Sequence, residues 1–225
     1  MDYIALSHSA LFEGVDPGDI EGMLSCLDAR ELRLGRGERV YRAGDVVTRL
    51  GVVLEGSVNV EANYYWGERA IFAHLGPGQI FAEAYSAIPG GETLVDIVAA
   101  EDATVLLLRT SSLLATCERA CSRHHRVIGN LLRVSAEKNV ALSRRMMHIA
   151  PRTIRERVLS YLSEQAVERG SRSFVIPFSR QELANYLGVD RSALSAELSR
   201  MQRDGLIVTR RSHFELLAGP GGRRG

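Results

Sequence analysis

Between Arg30 and Leu108 apolar residues come in short bursts separated by Gly and Asp turns, as in RVYRAGDVV, LGVVLEGSVNVEA, RAIFAHLGPGQIFAEAY and TLVDIVAAEDATVLLL. Runs of about 4 to 8 residues at that spacing predict antiparallel strands closing into a sandwich or barrel. Val58, Val60 and Ala62 alternate with Ser57, Asn59 and Glu61, so the two sets belong to opposite faces of one strand. Gly44, Gly56, Gly76 and Gly78 stand where turns call for positive backbone angles.

The texture changes between about Ser122 and Ala150, a stretch without proline and with only Gly129. Ile128, Leu132, Ser135, Asn139, Leu142, Met146 and Ile149 recur at alternating steps of four and three, a coiled-coil seam interrupted by two polar residues. A helix of about 28 residues would extend about 42 Å, more than a small domain needs to cover, which favours a seam between two copies over packing on its own domain. Pro151 marks a break or hinge. Beyond it the pattern predicts a helix through Glu168, a turn at Gly170, a short strand SFVIPF, a helix pair and a closing hairpin.

The helix pair carries the clearest chemistry. Ser179-Arg-Gln-Glu182 is a capping box, Leu183, Ala184 and Leu187 supply an inward face, and Gly188 permits a tight turn. Asp190 caps the second helix, whose buried stripe is Leu194, Leu198 and Met201. Arg191, Ser192, Ser195 and Ala196 are left outward near its N-terminus, where a recognition helix meets base edges in the major groove. Arg191 suits a guanine edge or a phosphate, and the serines suit bases or backbone. Arg180, Arg200, Arg203, Arg210 and Arg211 fit backbone contacts, and GLIVTRRSHFELL reads as a wing around Arg211 to His213.

Charge supports that picture. The net charge of +1 divides unevenly: residues 151–225 hold 13 Arg, no Lys and 8 acidic residues, a net +5, which leaves −4 for residues 1–150. A basic C-terminal end is what a phosphate-binding module needs. Otherwise the composition, 45% hydrophobic and 24% charged over 225 residues, is that of a globular protein of one large or two smaller domains. The opening MDYIALSHSALFEGVD lacks the charge and apolar core of a signal peptide, and no run is long enough to span a bilayer, so the expectation is a cytoplasmic protein without membrane contact. Three cysteines are too few and too sparse for a disulfide framework.

The motif SRQELANYLGVDRSALSAELSRMQRDGLI, together with AGD at 43–45, LEGSV at 54–58 and GPGQIFAE at 76–83, resembles the Crp/Fnr superfamily of bacterial transcription regulators over nearly the whole chain. The resemblance implies an α+β protein: an N-terminal antiparallel β-roll (a double-stranded, jelly-roll-like β-helix) over residues 1–118, a long dimerisation helix over 119–150, a C-terminal winged helix-turn-helix over 151–218 and a disordered tail over 219–225. It also implies a homodimer on a palindromic double-stranded DNA operator, controlled by a small-molecule effector and working with RNA polymerase. By position, the superfamily's base-reading residues fall on Arg191, Ser192 and Ala196, with Ser195 adjacent and Asp190 as cap. Ala196 stands where well-known members have a guanine-contacting arginine.

The sensor departs further from the superfamily. Members that bind cyclic nucleotides carry a Gly-Glu pair and, about ten residues on, an arginine with Ser or Thr. This chain has Ala82-Glu83, and SAIPGGETLVDIV contains no arginine. A buried phosphate would lack its countercharge, which argues against cyclic AMP. A neutral or apolar effector could occupy a pocket near Ala82, Glu83, Leu94 and Val95, with Ser135 and Asn139 reaching in from the long helix. Cys117, Cys121, His124 and His125 read C-x3-C-x2-H-H: they could bind zinc, although the spacing is atypical for it, or the thiols could sense oxidants, or the group reflects small thiols packing the start of the helix beside solvated histidines. No cysteine precedes Cys26, which argues against an N-terminal iron-sulfur cluster, and haem would rest on His74 alone. The chain carries no nucleophile elbow, P-loop or zinc-protease motif, so the expectation is a regulator and not an enzyme. A ligand-binding module acting on another protein would suit the β-roll but leave the basic C-terminal motif unexplained.

Overall fold

The structure is a computed structural model that describes residues 2–65, 69–114 and 122–217. The chain divides into two compact units, Met1–Glu137 and Lys138–Gly225. No helix among the described residues is long and apolar enough to cross a membrane.

The first unit opens with two helices absent from the sequence expectation, α1 (Tyr3–Ser7) and α2 (Pro17–Cys26). Both start on aspartate caps: Asp2 accepts from the amides of Ile4 and Ala5, and Asp16 from Gly18, with Pro17 in the first turn. The strands β1 (Arg30–Leu34), β2 (Arg39–Tyr41), β3 (Arg49–Glu55), β4 (Val58–Asn63), β5 (Arg69–Leu75) and β6 (Ile80–Phe81) follow. After the short helix α3 (Glu83–Ser86) come β7 (Asp96–Ala99), β8 (Ala103–Arg109) and helix α4 (Thr110–Leu114). The strands form two four-stranded antiparallel sheets, ordered β1-β8-β3-β6 and β2-β7-β4-β5, the expected jelly-roll arrangement.

Period-two alternation explains how the first sheet is covered on both faces. Val53 and Val105 point between the sheets, into a core with Leu34, Val58, Leu75, Phe81, Ile97 and Ala99. Leu50, Val52, Leu106 and Leu108 point the other way, against Leu6, Leu11, Phe12, Ile20 and Leu27 of the N-terminal segment. A strand buried on both faces reads as an uninterrupted apolar run, which is why VLLL appears at 105–108.

The second sheet keeps Val58 and Val60 inward as the alternation predicts. Its outer face is polar but not open. Glu61 is 2% exposed under its ion pair with Arg69, and Asn59 is 8% exposed and bonded to the His74 ring (2.8 Å). Asp96 accepts from the Ala43 amide (2.8 Å) and Asn63 (2.9 Å) and pairs with Arg39 (3.3 Å). Long arginine side chains thus shield the carboxylates with their own stems. One turn differs from expectation: Gly44, Gly56 and Gly78 have positive φ, whereas Gly76 does not. In the turn Gly76-Pro77-Gly78-Gln79 only the third residue needs that angle, and the Gln79 amide closes it onto the Gly76 carbonyl (3.2 Å).

Asp28, between α2 and β1, has φ +47 and accepts from Arg109 Nε (2.8 Å) and from Arg49, whose guanidinium also reaches the Asp28 carbonyl. Hydrogen bonds from Arg109 and Arg49 hold the Asp28 carboxyl down at about 2, below its ordinary 3.8. A depressed carboxylate contributes stability that is complete above its unfolded value and is lost as pH falls through its folded one. The gap in urea midpoint between the wild type and Asp28→Asn, a residue that tolerates this backbone angle, is therefore expected to hold from pH 7 to about 4 and close toward pH 2. A gap indifferent to pH would show that the charge is not what matters.

Helix α5 (Ser122–Ile149) crosses from the first unit into the second. Val127, Leu131 and Val134 are buried in the first unit's core. The expected seam runs one residue further round: Leu132, Leu142 and Met146 are 62 to 70% exposed, Asn139 is exposed, and Ile128, Ser135 and Ile149 are half-buried. Pro151 breaks the chain as predicted, but the division between units falls inside α5, at Glu137/Lys138.

The second unit continues with α6 (Ile154–Arg169), started by the capping box of Thr153 and Glu156 and closed by Gly170 at φ +58. Strand β9 (Ser173–Val175), α7 (Arg180–Leu187), α8 (Arg191–Arg203), β10 (Ile207–Arg210) and β11 (His213–Leu216) complete it. The predicted strand SFVIPF stops at Val175, since Pro177 has no amide to extend the ladder. The sheet order is β10-β11-β9, and Val158, Leu162, Leu183, Leu187, Leu194, Met201, Ile207 and Phe214 fill a single core.

Candidate nucleic-acid interface

Every local device expected of the helix pair is present. The Ser179 hydroxyl accepts from the Glu182 amide (3.3 Å) while Glu182 accepts from the Ser179 amide (2.7 Å). Gly188 takes φ +63, and Asp190 accepts from the amides of Ser192 (2.8 Å) and Ala193 (2.9 Å). The Ser192 hydroxyl and those amides hold the Asp190 carboxyl below its usual range, so it stays ionised at the positive end of α8. Leu183, Ala184, Leu187, Leu194, Leu198 and Met201 are at most 3% exposed.

Arg191, Ser192, Ser195 and Ala196 are exposed on α8, with Ser199 one turn on. Ser195 donates to the Arg191 carbonyl and Ser199 to the Ser195 carbonyl, each at 2.9 Å. Their protons thus point into the helix and leave lone pairs outward, facing any donor in a groove.

The arginines divide into free and committed. Among the described residues, Arg191, Arg203, Arg210 and Arg211 make no ion pair, and Arg211 sits at φ +54 in the exposed turn between β10 and β11. Arg200 pairs with Glu197 (3.0 Å), which is 9% exposed and also accepts from Arg155 (2.7 Å); Arg155 in turn reaches Asp204 (2.7 Å). This network ties α8 to α6. Arg180 donates to the Thr209 hydroxyl (2.6 Å) and lies 4.7 Å above the Phe214 ring, and burial lowers its guanidinium from the usual value. Arg180 therefore docks the wing onto α7.

The α7 end holds residues that no sequence motif announced. Arg145, from α5, donates to the carbonyls of Asn185 and Tyr186, both at 3.1 Å. Arg157, from α6, donates to Leu187 (3.2 Å), Gly188 (3.4 Å) and Pro151 (2.9 Å). His148 is 3% exposed between Tyr186 (2.9 Å) and Glu164 (2.8 Å), and Arg144 reaches Glu164 and Glu168. A carboxylate only accepts, so His148 presents its Nε2 proton to Glu164, and the Tyr186 hydroxyl, held protonated by burial, supplies Nδ1. The sequence shows that the last third of α5 is basic, with Arg144, Arg145 and His148, but nothing in it names their partners.

The expected effector residues differ in burial, and Ala82 and Val95 pack in the same core. Ala82 (φ +60) and Glu83 are buried at the start of α3, Val95 and Ser135 are half-buried, and Leu94 is 77% exposed. Asn139 belongs to the second unit. A groove of about 800 Å³ lies elsewhere on the first unit, lined by Leu6, His8, Arg33, Val53, Gly78 and Thr104 among others. His124 is buried, and its Nδ1 has no hydrogen-bond partner among the described residues; Cys117 and Cys121 lie outside them, as do 218–225. Among the described residues no group of three or more His, Cys, Asp or Glu could hold a metal ion.

Residues 31–120 match the cyclic nucleotide-binding domain, and residues 156–219 match the Crp-like helix-turn-helix domain. The chain is 26% identical over 199 residues to the cyclic AMP receptor protein of Thermus thermophilus, covering 88% of each. It is 29% identical over 215 residues to the nitrogen fixation regulation protein FixK of Bradyrhizobium diazoefficiens, covering 86% of this chain and 84% of that one. Its fold matches the c-di-GMP responsive global regulator CLP of Xanthomonas campestris with a TM-score of 0.57 at 21% identity, over 90% of this chain and 100% of that one. With both domain types present in order on one chain, the protein belongs to the Crp/Fnr superfamily of transcription regulators and carries a helix-turn-helix DNA-binding domain.

Proposed function

We propose that the protein is a cytoplasmic, effector-responsive regulator that binds a palindromic operator as a homodimer and works with RNA polymerase. The observation that carries this reading is the coexistence on one unit of an exposed reading face, Arg191, Ser192, Ser195 and Ala196, with an exposed apolar seam, Leu142 and Met146. Two such seams packed together bury both stripes and present two reading helices under two-fold symmetry. Arg203, Arg210 and Arg211, free of ion pairs among the described residues, serve as phosphate contacts beside them. Asp190 supports by orienting the helix start, and Arg200 and Arg180 support by fixing α8 and the wing.

The effector is a molecule other than cyclic AMP, received on the first unit near Ala82, Glu83, Leu94 and Val95, with Ser135 of α5. No arginine stands between Ser86 and Val98 to answer a buried phosphate. One experiment tests the core of the reading. Duplexes selected in vitro from random sequence by the purified chain are expected to converge on a two-fold-symmetric site, and native mass spectrometry is expected to show a dimer. The double variant Leu142→Glu, Met146→Glu is expected to be monomeric and to bind that site about a hundredfold more weakly, because its two half-sites are no longer linked. A monomeric wild type, or an asymmetric selected site, overturns it.

A further inference from the structure

The C-terminus of α7 is the pivot of the helix-turn-helix, and its carbonyls at 185, 186, 187 and 188 each accept from an arginine that lies outside the motif. Helix C-termini attract cations because their last carbonyls lack intrahelical partners. What is particular is the origin of the two arginines. Arg157 comes from α6, within the winged helix. Arg145 comes from the same stretch of α5 that carries Asn139, Leu142, Met146 and Ile149, the seam residues belonging to the second unit. Arg145 also stacks its guanidinium 5.7 Å from the centre of the Tyr186 ring, whose hydroxyl bonds His148 one turn further along α5. Arg144, by contrast, pairs among the described residues with Glu164 and Glu168 on α6.

We propose that Arg145 is a positioning residue for operator recognition, fixing the reading helix α8 relative to the α5 seam and so setting the distance between the two half-sites that a dimer spans. The inference rests on the homodimer reading above. The path is short: seam, Arg145, the Asn185 and Tyr186 carbonyls, the Gly188 turn, Asp190, α8. Each link is a hydrogen bond or one or two residues of chain, and all lie in one unit. A guanidinium bridging two carbonyls is directional, because its planar fork fixes two distances at once. A lysine ammonium at the same place supplies charge without that constraint.

The test uses the full-length dimer and the operator selected by the wild type, remade with its half-sites moved apart or together by one and two base pairs. The wild type is expected to prefer one spacing sharply. Arg145→Ala is expected to flatten that profile and to weaken the preferred spacing about tenfold, the worth of a charge-assisted hydrogen-bond pair, with dimer mass and binding to unrelated DNA unchanged. Arg145→Lys should restore affinity in part but not the sharp profile, and Arg144→Ala should keep the profile. A merely structural role predicts a lower melting temperature with the profile intact. A sharp wild-type profile that Arg145→Ala leaves unaltered overturns this inference alone; a wild type with no spacing preference overturns it together with the dimer reading.

Discussion

Replacing Arg191 by alanine is expected to remove sequence-specific DNA binding while leaving folding and dimerisation intact. Arg191 is the first residue of α8, exposed and without an ionic partner among the described residues, while Asp190 beside it does the capping through its own carboxylate. Alanine is a good helix former and preserves the cap, so the helix survives the change. What disappears is the one long donor fork on the reading face. Ser192, Ser195 and Ala196 are short, and the Ser195 proton is given to the helix. Without a guanidinium to meet guanine in either half-site of a dimer, operator affinity should fall about a hundredfold or more, toward that for unrelated DNA. Fluorescence anisotropy with the selected operator and a scrambled duplex, at one fixed salt concentration, measures it. If the variant still prefers the operator by the wild-type ratio, α8 reads DNA through other residues.

The second large effect lies in the first unit. Gly56, in the turn between β3 and β4, has φ +68, and a Cβ there would come 2.2 Å from the Asp102 carbonyl oxygen and 2.9 Å from Ala103 Cα. Both obstacles are backbone, held by the Ala100 amide to Ser57 carbonyl bond and by the register of β8. Gly90 has a similar angle, +70, with nothing within 4 Å of its Cβ position. Gly90→Ala should therefore cost about 1 kcal/mol from backbone strain alone, and Gly56→Ala about 3 kcal/mol or more once the collision is added. Equal shifts in the denaturant midpoint of the two variants would mean that the 101–103 turn yields freely.

The helix-turn-helix was fully legible because each of its devices is local. A capping box, a glycine and a period of three and four occupy adjacent positions and need no knowledge of the remainder of the chain. The strands were legible for the same reason, through alternation and turn glycines. Three things escaped. The N-terminal helices α1 and α2 are short, so their apolar residues give little periodicity, although Asp16-Pro17 was a usable start signal. The burial of Asn59 and Glu61 escaped because alternation assigns a face, not its exposure, and arginine stems supplied the cover. The arginines on the α7 turn escaped because Arg145 and Tyr186 are 41 positions apart, and a side chain that meets a backbone carbonyl leaves no pattern in residue type.

Helix α5 carries two lengthwise stripes one residue out of step, Val127, Leu131, Val134 and then Arg145 and His148 on one, and Leu132, Leu142 and Met146 on the other. Each residue advances an α-helix by about 100°, so adding or deleting one residue near Glu137 would turn everything downstream by that angle. A change of about seven or about eleven residues, close to two or three full turns, returns both stripes nearly to phase. Insertions or deletions of other lengths shift the seam residues downstream out of line with those upstream, whatever sequence is joined at either end.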